Sequence, residues 1–192
     1  MAARIFTSVT DPLLIDMLMQ GAIGILPTDT VYGLVGAARN EQAVAKMYAV
    51  KNRPRQPGTT IAATVDHLKD IGFPGDALER AKTYWPNPVS VEMNTTGIPS
   101  YLSTGQAVMA ARIPDDTELR ELLDKTGPLM TTSANRPGEP TATTVQSAMA
   151  YFGDSIDFYV DAGNLGERPP STIIGFDEHG DVVVYRQGAV SV

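Results

Sequence analysis

The chain has 192 residues, 43% hydrophobic and 19% charged, an ordinary globular composition that fits one domain over residues 1–192 and excludes a disordered or fibrous protein. Its 15 lysines and arginines stand against 22 aspartates and glutamates, a net charge of −7, which argues against whole-surface binding of nucleic acid but not against a small basic pocket. With no cysteine, disulfides, thiolate nucleophiles and Cys-ligated zinc are excluded, and a reducing, cytoplasmic setting is expected.

Asp11-Pro12 reads as an N-cap followed by a proline at the first helical position, with Leu13, Leu14, Met17 and Leu18 as the apolar stripe and Gly21 as the stop. Asp16 interrupts this segment, so it is an amphipathic helix rather than a signal peptide, and no apolar run approaches the ~20 residues that span a bilayer. Residues 22–26 form a short apolar strand ending at Pro27. Asn40 caps a second helix whose Ala43, Val44, Met47 and Val50 share a face, and which ends in Lys51-Asn52-Arg53-Pro54. A strand over 60–65 is followed by helical turns from Asp66 and over 75–85, then by strands at 89–91 and 107–113. Residues 115–125 make a helix with Leu119, Leu122 and Leu123 inward, and 129–132 make another strand. Thr143 and Gln146 form a capping box that opens a helix running to Phe152, and short strands at 158–160, 172–174 and 182–185 close the chain. Strands alternating with helices define an α/β class (α+β in some schemes): a twisted mixed sheet with helices on both faces.

Polar segments follow several of these strands, where ligands of α/β sheets usually bind. Residues 27–33 bring the hydroxyls of Thr28 and Thr30, the carboxylate of Asp29 and the phenol of Tyr32 together. They read either as a ligand loop or as a turn in which Asp and Thr bond their own backbone. Lys51, Arg53 and Arg55 place three cations within five residues. Such a cluster either grips a triphosphate or caps the carbonyls at a helix C-terminus. Arg112 ends a strand of small apolar residues with no local partner. It therefore points into a site or pairs with an acid from elsewhere. Residues 131–135 and 138–141 supply small hydroxyl and amide groups, as does Ser171, and Arg186 adds a cation at the end of the last strand.

No GxxxxGK[ST] loop, GxGxxG turn or HExxH helix occurs, and the two histidines, His67 and His179, lie far apart in surface-type segments. A Ser-His-Asp triad or a His-built metal site is therefore not expected. Chemistry in this chain must rest on binding, orientation and charge stabilisation.

In order and spacing the segments PTDTVYGL (27–34), KNRP (51–54), WPNPVSV (85–91), ARIP (111–114), TSANRPGEPT (132–141), STII (171–174) and YRQG (185–188) resemble the YrdC-like threonylcarbamoyl-AMP synthases in their short, single-domain form. The resemblance implies a YrdC-like fold enclosing a deep basic cleft. It also implies condensation of L-threonine, bicarbonate and ATP, with Mg²⁺ carried on the ATP phosphates, into threonylcarbamoyl-AMP and pyrophosphate, no other cofactor, and delivery of the product to tRNA-modifying partner proteins. Carried over by position, Lys51 and Arg53 would be catalytic. Together with Arg55, Ser133, Asn135, Thr141 and Arg186 they would hold ATP. Thr30, Tyr32, Arg112, Thr131 and Ser171 would frame the threonine. The sequence departs from the pattern at Pro57-Gly58-Thr59, where one polar phosphate contact is replaced and Arg55 is a substitute, at Asn87, and at Glu92, a charge within an apolar strand. Contact with tRNA is a further partner expectation, and two alternatives stay open: a non-catalytic paralogue binding double-stranded RNA, and a related enzyme that adenylates carbamate for another acceptor.

Overall fold

The computed structural model describes residues 2–52 and 57–192. Ten strands form one sheet, β1 (Arg4–Phe6), β2 (Ile23–Pro27), β3 (Tyr32–Ala37), β4 (Thr59–Ile61), β5 (Val89–Asn94), β6 (Val108–Arg112), β7 (Leu129–Ser133), β8 (Phe158–Val160), β9 (Thr172–Phe176) and β10 (Val182–Arg186). Their spatial order is β1-β8-β2-β3-β7-β4-β6-β5-β9-β10. Pairing is mixed: β1 with β8, β8 with β2, β4 with β6 and β5 with β9 run parallel, and the other neighbours antiparallel.

The expected coverage of both faces is present. Consecutive strand residues point to opposite sides of a sheet, and here each side meets its own core. Ile25, Leu34, Met130 and Tyr159 pack with α2 (Glu41–Lys51), α3 (Val65–Ile71), α4 (Gly75–Ala81) and α7 (Val145–Phe152). Their sequence neighbours Leu26, Val35, Leu129 and Phe158 pack with α1 (Pro12–Met19) and α6 (Thr117–Thr126). A single helical turn, α5 (Ser100–Ser103), completes the α-helices among the described residues, and two 3-10 turns lie at Lys82–Tyr84 and Gly153–Ser155.

Local signals placed most boundaries. The Asp11 carboxylate accepts from the Leu13 N–H at 2.8 Å and the Asn40 amide oxygen from the Ala43 N–H at 3.0 Å, so both expected caps form. The capping box lies one residue later than expected, on Thr144 and Ser147 rather than Thr143 and Gln146. The strand expected over 60–65 stops at Ile61, because the Thr64 hydroxyl caps α3 through the His67 N–H at 3.2 Å. Strands β1 and β3 had no sequence expectation. Strand β3 is buried on both faces and carries Gly33 and Gly36, so it shows neither alternation nor strand-favouring composition.

Candidate active site

A cleft of about 290 Å³ opens beside the β2–β3 turn, the start of β4 and the ends of β6, β7 and β10, with the segment preceding β9 as a further wall. Thr28, Thr30, Arg112, Thr131, Ser133, Thr141, Ser171 and Arg186 all line it. Residues far apart in sequence thus converge on one point, and the described lining contains two guanidinium groups and no carboxylate. Among the described residues no three His, Cys, Asp or Glu side chains gather as a metal centre would need.

The β2–β3 turn shows the threonine half of the local-turn reading and lies along the cleft. Thr28 closes it: its hydroxyl donates to the Val31 carbonyl at 2.7 Å and its N–H to the same oxygen at 3.1 Å. Asp29 does something else. Its carboxylate side chain is 2% exposed and accepts from Arg112 Nη2 at 2.9 Å. The Arg112 side chain is 4% exposed, and its Nη1 donates to the Ser90 hydroxyl at 3.1 Å. Arg112 therefore does both things its sequence left open, pairing with an acid 83 residues away and lining the cleft. Asp29 Oδ2 and Arg112 Nε are buried without a partner among the described residues, so the pair keeps hydrogen-bonding capacity in reserve.

Arg186 is held differently. Its Nε and Nη2 donate to the Ser171 carbonyl at 3.2 and 2.7 Å, and Nη2 lies 3.3 Å from the Ser171 hydroxyl. That hydroxyl is 2.9 Å from Ser90 Oγ. Thr131 reaches the cleft over Gly33, where an added Cβ would lie 2.6 Å from Thr131 Oγ1. Gly58, in the stretch that departs from the family pattern, sits where a Cβ would meet the Thr131 carbonyl at 2.5 Å.

Some expected contacts lie elsewhere. Tyr32 does not line the cleft. It is fully buried, donating to the Gly163 carbonyl and accepting from the Ala162 N–H, each at 2.9 Å. Burial, with Asp161 nearby, pushes its phenol pKa up, against the opposing effect of the Ala162 N–H. Its hydroxyl holds the 162–163 backbone. Lys51 is 3% exposed, and its ammonium donates to the Ser133 and Asn135 carbonyls and, at 2.9 Å, to Asn135 Oδ1. The Asn135 amide also accepts from the Ser133 hydroxyl at 2.7 Å. Lys51 and Asn135 thus brace the loop that carries Ser133, and a phosphate reaching Lys51 has to displace those acceptors. The expected sites Arg53 and Arg55 lie outside the described residues. Sequence reasoning placed Asp29 in the candidate loop over 27–33 without naming its partner, and gave Ser90 no site role. Both stand inside quoted motifs, but their partners are distant in the chain.

Comparison with known proteins gives the chain a family. The family model Sua5_yciO_yrdC, described as telomere recombination, matches residues 16–188. The threonylcarbamoyl-AMP synthase of Pseudoalteromonas translucida is 31% identical over 166 residues, covering 83% of this chain and 89% of that protein. The Pseudomonas aeruginosa enzyme of the same name is 32% identical over 161 residues, covering 82% and 87%. Among solved structures, P. abyssi Sua5 complexed with L-threonine superposes with a TM-score of 0.82 at 25% identity, over 98% of this chain and 58% of that one. The chain therefore spans little more than half of that Sua5. E. coli YciO shares the fold over nearly its whole length, with a TM-score of 0.82 at 19% identity and coverage of 98% and 97%. The chain belongs to the Sua5/YciO/YrdC family.

Proposed function

We infer that this chain condenses L-threonine, bicarbonate and ATP into threonylcarbamoyl-AMP and pyrophosphate. The observation that carries the reading is the convergence of Thr30, Arg112, Thr131, Ser133, Ser171 and Arg186 on one cleft, in a chain whose full-length relatives bear that synthase name.

The cleft divides by chemistry. Arg112, Thr30, Thr131 and Ser171 frame the threonine, the Arg112 fork being the natural partner for its carboxylate. Because Asp29 already neutralises Arg112, the substrate carboxylate is received through the remaining N–H groups of the fork, not by a bare cation. Ser133, Thr141 and Arg186 face the nucleotide, with Arg53 and Arg55 as further phosphate ligands and Lys51 and Asn135 holding Ser133 in place. Mg²⁺ enters as part of the MgATP substrate, bound through its phosphates.

The reaction needs no strong base. The threonine amine attacks the bicarbonate carbon, water leaves, and a carbamate oxygen displaces pyrophosphate at the α-phosphorus. The carbamate is a weak nucleophile, so its alignment with that phosphorus decides the rate. Holding both in one site supplies roughly 7–11 kcal/mol of the barrier reduction. Cationic side chains and Mg²⁺ neutralise the charge on the departing pyrophosphate. The product then passes to proteins that modify tRNA.

Pyrophosphate release from ATP is expected to require both L-threonine and bicarbonate. A folded protein whose release ignores threonine contradicts the assignment. Arg112→Ala is expected to raise the threonine requirement by on the order of 10²-fold, far more than the ATP requirement, in line with loss of a charge-assisted pair of about 2–4 kcal/mol. Equal effects on both substrates refute the role given to Arg112.

A further inference from the structure

Two guanidinium groups at this cleft are joined through the hydroxyls of Ser90, which has no assigned role, and Ser171. Arg112 Nη1 donates to Ser90 Oγ at 3.1 Å, Ser90 Oγ lies 2.9 Å from Ser171 Oγ, and Arg186 Nη2 lies 3.3 Å from Ser171 Oγ. Ser90 is completely buried on β5 and does not line the cleft, whereas Ser171 does. The parallel pairing of β5 with β9 sets Val89 opposite Thr172, so Ser171 and Ser90 are placed by the sheet itself.

By distance either hydroxyl of the Ser90–Ser171 pair can donate, and donor and acceptor counting points to one direction. A guanidinium only donates, and a hydroxyl has one proton to give. Ser90 Oγ therefore accepts from Arg112, and its own proton, sealed from solvent, goes to Ser171 Oγ, the one other side-chain partner it has among the described residues. Ser171 Oγ receives that proton together with the Arg186 N–H. Its lone pairs are taken up from within the protein, and the proton left over is its own, on the one member of the hydroxyl pair that reaches the cleft. Ser171 consequently presents a donor, suited to a carboxylate or carbamate oxygen, and does not serve as an acceptor for an ammonium.

We propose that Ser90 is a positioning residue that links the amino-acid subsite at Arg112 to the phosphate subsite at Arg186 through Ser171, making threonine and ATP bind cooperatively. The link rests on the synthase reading given above. Each hydrogen bond in such a chain polarises the next. A ligand oxygen on Ser171 strengthens the bonds that orient both guanidinium groups, and coupling between two sites is necessarily reciprocal.

Calorimetric titration of L-threonine into the full chain, with and without a non-hydrolysable ATP analogue and Mg²⁺, reads the link directly. For the parent protein the analogue is expected to tighten threonine binding by about 5- to 20-fold. Ser90→Ala is expected to bring that ratio to within about twofold of unity, and Ser90→Thr, which keeps the hydroxyl, to restore it. A purely structural Ser90 would lower the melting temperature without moving the ratio. Parent protein that binds both ligands independently, or Ser90→Ala that keeps the parent ratio, overturns the proposal. Should Ser90→Ala not fold, Ser171→Ala removes the same link from the cleft side, and a retained ratio there is equally fatal. Parent protein that binds neither ligand refutes the synthase reading itself, an outcome distinct from independent binding.

Discussion

A carboxylate taken out of water beside a guanidinium loses hydration on both sides, and the pair persists only while both members are present. Asp29 and Arg112, at 2% and 4% side-chain exposure and 2.9 Å apart, meet that condition, unlike Arg39–Asp70 on the surface at 57% and 66%. Asp29→Asn is therefore expected to lower stability in urea unfolding by about 3–5 kcal/mol, where breaking the surface pair changes it by less than about 1 kcal/mol. A loss for Asp29→Asn as small as the surface value contradicts the structural weight given to this pair. Glu92, half-buried on β5, is the opposite case, because desolvation pushes its carboxyl pKa above the ordinary 4.5. A raised folded-state value means that the folded protein binds this proton more tightly than the unfolded chain does. Stability from this group is then full at pH below the unfolded value and is lost as pH rises through the folded one. Glu92→Gln is accordingly expected to raise the melting temperature at neutral pH and to leave it unchanged near pH 4. A gain of equal size at both pH values contradicts a titration origin.

Between elements, Lys51 fastens the C-terminus of α2 to the loop after β7, filling backbone acceptors at Ser133 and Asn135. Removing it strands those acceptors, so Lys51→Met is expected to cost about 1.5–3 kcal/mol in ligand-free protein, measured by urea unfolding. A lysine serving phosphate alone would leave that value unchanged. The contact of β3 with β7 makes a second demand, since a Cβ on Gly33 would press Thr131 Oγ1 at 2.6 Å. Gly33→Ala is expected to lower stability by about 1–3 kcal/mol and to weaken threonine binding as Thr131 shifts. Unaltered threonine affinity would remove Thr131 from that subsite. What the sequence revealed of these elements follows from range. Caps such as Asp11 and Asn40 act within three residues and were readable. Strand β3, glycine-bearing and buried throughout, had no periodic signal to read. Arg112, Ser171 and Arg186 were recognisable from motif resemblance. Asp29 and Ser90 owe their roles to pairings 83 and 22 residues distant, to which local pattern is blind.

At the scale of the molecule, the described residues form one ten-stranded sheet that separates two cores and turns several strand and loop ends toward the cleft. The smaller core depends on α1 and α6, where Leu14, Leu18, Leu119, Leu122 and Leu123 are at most 1% exposed. No helix among the described residues is long and apolar enough to cross a membrane. The cleft's lining residues come from segments wide apart in sequence, so the sheet has to bring them together. The proposed product contains one fragment from each of three substrates, and this gives the sharpest test of the account. The purified chain is incubated with MgATP, L-threonine and isotope-labelled bicarbonate, and its products are weighed by mass spectrometry. The account predicts an AMP adduct that contains both threonine and the labelled carbon, formed together with pyrophosphate. A threonyl adenylate lacking the label, or labelled carbon joined to AMP without threonine, would contradict it.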